Sequence, residues 1–336
     1  MMEYRILGKT GLKISRMGFG GIPIQRIDAQ GTKTLIHYLH DAGVNYIDTA
    51  RGYTVSEEYL GYALEGIRKD FVLATKSMAR TKDAMAKDIA TSLEKLRTDY
   101  IDLYQVHNPN PKDLEQVMAP DGALEALLEA KAQGKIGHIG ITLHSLELFR
   151  KAVELPWVET IMFPYNIVET QGEELIARCA EKNIGFICMK PLAGGAIDDA
   201  VTALRFVMRN PSVTVVIPGM ADEAEIQQNV SATADTAPLT DAEQAKIATI
   251  RGQLGTNFCR RCNYCAPCTV GINIPSVFLF EGYFSRYDLK QWAADRYTQL
   301  PKTAADCIGC GACEERCPYQ LPIRRMLEHV AQVMGK

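Results

Sequence analysis

The sequence predicts an α/β chain: a (β/α)8 barrel of the TIM type with an N-terminal hairpin, followed by a small, cysteine-rich α-helical module. Three observations carry this expectation. Short apolar runs alternate with amphipathic stretches of helical length eight times in about 230 residues, which suits a closed barrel better than an open doubly wound sheet. The end of the first run reads Gly18-Phe19-Gly20-Gly21-Ile22, without the Gly-x-Gly-x-x-Gly pattern that opens a dinucleotide-binding doubly wound fold. Eight of the ten cysteines then fall in two tight runs beyond the last βα unit.

Taken in order, Glu3–Leu7 and Leu12–Ser15 flank Gly8-Lys9-Thr10-Gly11, a hairpin that would close the N-terminal end of the barrel. Barrel strands are expected at Ile14–Phe19, Tyr46–Asp48, Phe71–Thr75, Ile101–Val106, Ile136–Ile141, Thr160–Phe163, Gly185–Met189 and Val213–Ile217. Helical spacing of apolar residues marks Thr32–Ala42, Glu57–Glu65, Asp83–Leu96, Leu114–Gln133, Leu146–Glu154, Glu173–Lys182, Asp199–Met208 and Asp222–Val230. Ala232–Leu239 is small, polar and interrupted by a proline, so it reads as a connection. Asp241–Leu254 reads as a helix behind a Thr240/Asp241 cap. The expected division is therefore residues 1–235 for the barrel, 236–255 for a connecting helix and 256–336 for the cysteine module.

The cysteine runs are Cys259-x2-Cys262-x2-Cys265-x2-Cys268 and Cys307-x2-Cys310-x2-Cys313-x3-Cys317-Pro318. The second is the bacterial ferredoxin pattern for a [4Fe–4S] cluster, in which the fourth cysteine serves the other cluster of a pair. Crossed ligation is expected on that ground: Cys259, Cys262, Cys265 and Cys317 on one cluster, and Cys307, Cys310, Cys313 and Cys268 on the other. The first run departs from the pattern, with two residues before its last cysteine and Thr269 in place of proline. Two zinc sites are the competing reading, but zinc ligands usually come as separated pairs. Disulfides are disfavoured because Met1–Gly8 has no signal-peptide character, and a cytoplasmic chain keeps its thiols reduced. Cys179 and Cys188 lie in apolar patterns and read as core residues.

With 336 residues and 47% hydrophobic content, the chain can bury one large core and a smaller one. A net charge of −3 and a pI near 6.1 give no case for nucleic-acid or membrane binding. From Gly255 onward there are ten Lys/Arg and seven Asp/Glu, +3, which leaves −6 on the preceding part. The positive excess offsets anionic thiolate clusters and would also help an acidic, ferredoxin- or flavodoxin-like electron carrier to dock.

In a (β/α)8 barrel, chemistry sits at the C-terminal ends of the strands. Those positions read Asp48 and, five residues on, Tyr53; then Lys76; then His107. A tyrosine phenol with a reference pKa near 10 is a poor acid–base group at neutral pH. A neighbouring ammonium, here Lys76, favours the phenolate, and Asp48 would hold that ammonium charged and in place. His107 could donate a hydrogen bond to a carbonyl oxygen. The set suits proton transfer to an alkoxide as hydride reaches a carbonyl carbon, or the reverse.

The chain resembles an aldo-keto reductase fused to a ferredoxin-like domain with two [4Fe–4S] clusters. The resemblance rests on the Tyr4-Arg5-x2-Gly8-Lys9-Thr10-Gly11 opening, the Asp48/Tyr53/Lys76/His107 set and both cysteine runs. It implies an oxidoreductase acting on an aldehyde, ketone or alcohol, with Tyr53 as general acid and a nicotinamide dinucleotide, NADPH or NADH, as hydride donor. It also implies cofactor contacts at Thr142, Asn166, Leu192, Gly194, Gly219, Gln228 and Asn229. The family's Ser-Asn pair is Thr142-Leu143 here, and its glutamine is Met162. The loop that usually offers Lys and Arg to a 2′-phosphate has Gly219 and Glu225, so those contacts are missing. Gln228 and Asn229 fall where adenine would sit, and Leu192-Ala193-Gly194-Gly195 where the pyrophosphate would pass.

Three functions stay open at this point. The chain is a carbonyl reductase with a docking or structural tail, a reductase fed single electrons through its clusters, or a non-enzymatic electron-transfer module.

Overall fold

The computed structural model describes residues 2–335. The chain divides into two compact units. One holds the chain up to Asn166 with Thr170–Pro191 and Asp199–Leu239; the other holds Ile167–Glu169, Leu192–Asp198 and the chain from Thr240.

The first unit opens with an antiparallel hairpin, β1 (Tyr4–Ile6) and β2 (Lys13–Ser15), in which Tyr4 faces Ser15. Eight parallel strands follow: β3 (Phe19–Gly20), β4 (Tyr46–Asp48), β5 (Val72–Ser77), β6 (Ile101–His107), β7 (Ile136–Thr142), β8 (Thr160–Pro164), β9 (Gly185–Met189) and β10 (Val215–Ile217), paired in sequence order. A parallel bridge from Met17 to Val216 brings the first and last together. Gly18 N donates to Val216 O at 2.8 Å and Gly20 N to Pro218 O at 2.9 Å, so the barrel is nearly closed. The helices α1 (Ala29–Asp41), α2 (Ser56–Ala63), α3 (Lys82–Lys95), α4 (Pro111–Met118), α5 (Ala123–Ala132), α6 (Leu146–Ala152), α7 (Glu173–Glu181), α8 (Ala200–Met208) and α9 (Glu223–Ala234) follow β3 to β10, with both α4 and α5 between β6 and β7.

Two buried apolar layers result from the period-two alternation of the strands. Outward residues such as Ile47, Leu73, Tyr104, Ile139 and Phe186 join the helix faces. Inward residues Tyr46, Ala74, Leu103, Met162, Ile187 and Val215 form a separate cluster with Leu7 and Ile14 of the hairpin. Leu7 is fully buried there, a gain of about 1.5–3 kcal/mol. The hairpin thus plugs the N-terminal end, as its sequence suggested. Gly8 is required at that plug: its φ is +54°, and a Cβ would lie 2.2 Å from Gly185 N.

Two expected elements came out differently. The first strand, expected over Ile14–Phe19, is cut short because Lys13–Ser15 pairs in the hairpin. Arg16 is buried there, donating to Met208 O at 2.8 Å and to Glu3 at 2.9 Å. The helix expected over Leu114–Gln133 is two helices, α4 and α5. Pro120 cannot continue the helix, Asp121 is left-handed at φ +57°, and a Cβ on Gly122 would meet the Gln116 and Val117 carbonyls at 2.4 Å.

Helix α2 crosses the end of α3 so closely that a Cβ on Gly61 would lie 2.2 Å from Lys95 O. The usual gain from alanine in a helix is therefore reversed at this position. Gly61→Ala is expected to destabilise the barrel by about 1–3 kcal/mol, read as a lowered urea midpoint; an unchanged or higher midpoint would mean that the two helices part without cost.

The second unit is helical: α10 (Asp241–Leu254), α11 (Ile274–Ser285), α12 (Lys290–Thr298), α13 (Ala312–Glu315) and α14 (Ile323–Met334). Helix α10 starts at the expected Thr240 cap, whose partner is Glu243 in a capping box. Its small core gathers Ile272, Ile274, Val277, Phe278, Leu327 and Val330 around the cysteine runs. Among the described residues no helix is long and apolar enough to cross a membrane. Cys179 and Cys188 are fully buried in α7 and β9.

Candidate functional site

The alternation that builds the barrel interior also aims the predicted residues. Tyr46, Ala74 and Leu103 belong to the interior cluster, and two residues further along each strand stand Asp48, Lys76 and Gln105. His107 is two beyond Gln105 on the same face. Lys76 lies level with Gln105 across the sheet.

Asp48 and Lys76 are each 2% exposed and form an ion pair. Lys76 Nζ also donates to Thr49 O at 2.8 Å, and Gln105 Nε2 donates to Asp48 Oδ2 at 2.9 Å. Burial pushes the Asp48 carboxyl up, opposed by the Lys76 charge and the Gln105 bond. Burial pushes the Lys76 ammonium down, opposed by Asp48 and Glu57. Each ion is thus retained because the other is present. Lys76 Nζ stands 5.0 Å from the centre of the half-buried Tyr53 ring. The His107 ring meets Tyr53 edge-on at 88°, with centroids 6.3 Å apart. All four predicted groups therefore converge at the C-terminal end of the barrel.

His107 is held well below the ordinary histidine range, first by burial and then by the charges of Lys76, Arg80 and Lys190. Its imidazole is neutral, able to donate through one nitrogen without presenting a charge. In the unfolded chain this residue takes up a proton near its ordinary pKa, whereas the native state refuses it. Stability therefore falls as pH drops through about 6.5. His107→Asn is expected to flatten the fall in urea midpoint between about pH 7 and 5; a parallel decline in both proteins would show that this histidine does not contribute.

Several supporting residues escaped the sequence reading. Glu57, in the first turn of α2, looks like a solvent-facing acid, yet it is 1% exposed. Its carboxylate accepts from Thr75 Oγ1 and Ser92 Oγ, both at 2.8 Å, and pairs with Arg51. Thr49 Oγ1 and Ser56 Oγ lie 2.8 Å apart, and Ser56 N donates to Tyr53 O at 2.8 Å. These bonds fix the loop that carries Tyr53. Gly140 makes room for Gln105, whose Cγ would lie 3.1 Å from an added Cβ.

The expected cofactor positions fall in both units. Thr142 is buried, and its hydroxyl accepts from Asn108 N at 3.0 Å. Asn166 is fully buried and donates to Lys190 O at 2.9 Å. Gly219 lies 2.8 Å, as an added Cβ, from Pro23 Cγ. Gln228 is exposed and Asn229 buried, one residue apart on α9. Glu225, where the family's arginine would be, accepts from Ala221 N at 2.6 Å and so braces its own loop. Leu192 and Gly194 belong to the second unit. There Gly194 has φ +64° and its carbonyl accepts from Arg286 Nε at 3.1 Å.

Within the second unit the eight cysteines line two hollows. Cys259, Cys262, Cys265 and Cys317 surround one. Cys268, Cys307, Cys310 and Cys313 surround the other. Each hollow thus takes three cysteines from one run and the last cysteine of the other. Left-handed Gly309 (φ +70°) and Gly311 (φ +79°) turn the chain between the second run's ligands. Burial raises the Cys259 thiol to about 11 and the Cys265 thiol to about 12. Arg316 braces the first run, donating to Cys265 O at 2.8 Å. Four thiols lining each hollow, with Arg260 at the first and Arg316 and Arg324 at the second, are the donor set that an iron–sulfur cluster takes.

Comparison with known proteins follows this division. Residues 16–203 match the model of the aldo/keto reductase family, and residues 258–322 that of a 4Fe-4S dicluster domain. The chain is 27% identical over 286 residues to L-galactose dehydrogenase of Arabidopsis thaliana, covering 69% of this chain and 88% of that protein. It is 33% identical over 218 residues to aldo-keto reductase YhdN of Bacillus subtilis, covering 57% and 64% respectively. Among solved structures, aldo-keto reductase AKR11C1 from Bacillus halodurans in its holo form superposes with a TM-score of 0.66 at 26% identity, covering 74% of this chain and 96% of that one.

Proposed function

The chain belongs to the aldo/keto reductase family, and from that premise we propose that it reduces a small aldehyde or ketone to the alcohol, or runs the reverse, with Tyr53 as general acid/base. The observation that carries this is the buried Asp48–Lys76 pair beneath Tyr53, with neutral His107 at the edge of the same ring. A nicotinamide dinucleotide, which Thr142, Asn166, Gly219 and Asn229 would hold, would supply hydride to the carbonyl carbon. Tyr53 passes its phenolic proton to the carbonyl oxygen as negative charge builds there. The Lys76 ammonium stabilises the phenolate left behind, and Asp48 keeps that ammonium charged. His107 donates a hydrogen bond to the same oxygen and orients the substrate. In the reverse direction Tyr53 accepts the alcohol proton.

Two [4Fe–4S] clusters complete the reading, one in each cysteine hollow, with Cys317 serving the first run and Cys268 the second. Their chemistry is single-electron transfer, in exchange with a small ferredoxin- or flavodoxin-like carrier that the net positive charge from Gly255 onward favours. Reduced cysteines suit a cytoplasmic location.

NADH is the favoured dinucleotide. Gly219 has no cationic side chain, and Glu225 puts a carboxylate where a 2′-phosphate would need a cation. An anaerobic titration of iron-replete protein is expected to show NADH bound about tenfold or more tighter than NADPH, and carbonyl-dependent NADH oxidation without cluster bleaching. A preference for NADPH would overturn the cofactor assignment. Binding of neither, with turnover only from a low-potential donor, would sink hydride transfer in favour of a barrel fed through the clusters.

A further inference from the structure

Leu192-Ala193-Gly194-Gly195 comes directly after β9 and Pro191, yet the segment Leu192–Asp198 belongs to the second unit. Its backbone is costly to hold. Ala193, Gly194 and Gly195 are three successive left-handed residues, at φ +50°, +64° and +78°. An alanine stays in that region only where its surroundings over-determine it. Part of the hold is internal: Gly195 N donates to Leu192 O at 3.0 Å, and Ile197 N to the same oxygen at 3.2 Å. The rest comes from the turn after α11. There Arg286 Nε donates to Gly194 O at 3.1 Å, and Tyr287 packs so close that its hydroxyl oxygen would lie 3.2 Å from a Cβ on Gly194.

That turn is itself well fixed. Arg286 Nη1 pairs with Glu281 at 3.2 Å, which orients the guanidinium. Tyr287 meets Tyr283 edge-on with ring centres 5.1 Å apart, and Tyr283 meets Trp292 of α12 at 4.8 Å. At the other end of α11, Ile274 and Phe278 line the hollow of Cys259, Cys262, Cys265 and Cys317. One helix thus runs from a cysteine hollow to the loop where the pyrophosphate is expected to pass.

We propose that Arg286 is a positioning residue for the dinucleotide: it holds the Leu192–Gly195 loop in the conformation that takes a pyrophosphate, so that the cysteine-bearing unit sets nicotinamide affinity. The inference rests on the nicotinamide reading above. A loop ordered in advance spares the ligand the entropy of ordering it. Without the Arg286 bond, three left-handed residues must be gathered when the ligand binds, and the loss falls on ligands that carry a pyrophosphate.

The test is anaerobic fluorescence titration of full-length, iron-loaded protein with NADH, with iron content and urea midpoint measured on the same samples. Arg286→Gln is expected to raise the NADH dissociation constant about three- to tenfold, the worth of one hydrogen bond. ADP-ribose, which has the pyrophosphate but no nicotinamide, should lose affinity by the same factor in displacement titrations. Reduced nicotinamide mononucleotide, which has no pyrophosphate, should bind both proteins equally. Arg286→Lys keeps the cation beside Glu281 but not the planar fork, and should fall between the two. Arg286 is exposed, so iron content and urea midpoint should match wild type; if Arg286→Gln loses iron, Arg286→Lys carries the comparison. Unchanged NADH and ADP-ribose affinities in an iron-replete variant would overturn the positioning role alone. An equal loss for the mononucleotide would also overturn it, by showing an effect unrelated to the pyrophosphate loop. Wild-type protein that binds no nicotinamide would overturn the reading on which the inference rests, and the inference with it.

Discussion

Replacing Tyr53 with phenylalanine is expected to lower kcat for carbonyl reduction by roughly 10²–10⁴-fold, the usual worth of a positioned proton donor. Nicotinamide affinity and urea midpoint should stay near wild type, because the change removes one hydroxyl from a half-buried ring and leaves the Lys76–Asp48 pair intact. Lys76→Met would be a poorer probe. It strands a buried carboxylate, at a cost of about 3–5 kcal/mol, so lost activity could not be told from lost fold. A Tyr53→Phe enzyme that turns over carbonyls at the wild-type rate would remove the phenol from the mechanism. It would leave His107, neutral and edge-on to that ring, as the group to test next.

The second large effect concerns the clusters. Cys317→Ala is expected to remove about half of the iron, and the half lost should be the cluster held by Cys259, Cys262 and Cys265. The pairing is best read from double variants. Cys317→Ala combined with Cys265→Ala should lose no more iron than Cys317→Ala alone, because both ligands line one hollow. Cys317→Ala combined with Cys313→Ala should lose nearly all of it, because Cys313 lines the other hollow. If each run instead held its own cluster, the two double variants would exchange behaviour. Iron and sulfide analysis with low-temperature electron paramagnetic resonance of the reduced proteins separates the cases.

Most of the barrel was legible because its signals are local. A strand buried on both faces needs an unbroken apolar run, and a helix on its flank needs apolar residues every three or four positions. Where an element came out differently from its local pattern, the cause was non-local in one case and local in the other. Ile14 and Ser15 fit both the hairpin and the start of the first barrel strand, and pairing with Arg5 and Tyr4 keeps them in the hairpin. The α4–α5 break carried a local signal in Pro120 and Gly122, outweighed in the reading by the continuous apolar spacing around it.

The site divides along the same line. Asp48, Lys76 and His107 could be found because strand ends are recognisable and chemistry collects there. Glu57 and Gln105 could not. An acid in the first turn of a helix and a glutamine in a strand are ordinary residues until folding buries one against Thr75 and Ser92 and turns the other toward Asp48. Glu225 shows the same limit: its sequence position marked only a missing cation, whereas folding turns its carboxylate onto the backbone N–H of Ala221.

By itself, then, the sequence determined the eightfold βα order, the hairpin ahead of it, the cysteine spacing that calls for iron, and the identity of the four groups at the barrel mouth. Each of these is written in the spacing of residues close along the chain. Tertiary structure alone decided which of those groups are buried. It set the ionic pair that buried Asp48 and Lys76 must form, and lined each hollow with cysteines from both runs. Burial and charge compensation depend on residues brought together from distant parts of the chain, and local spacing does not encode that proximity.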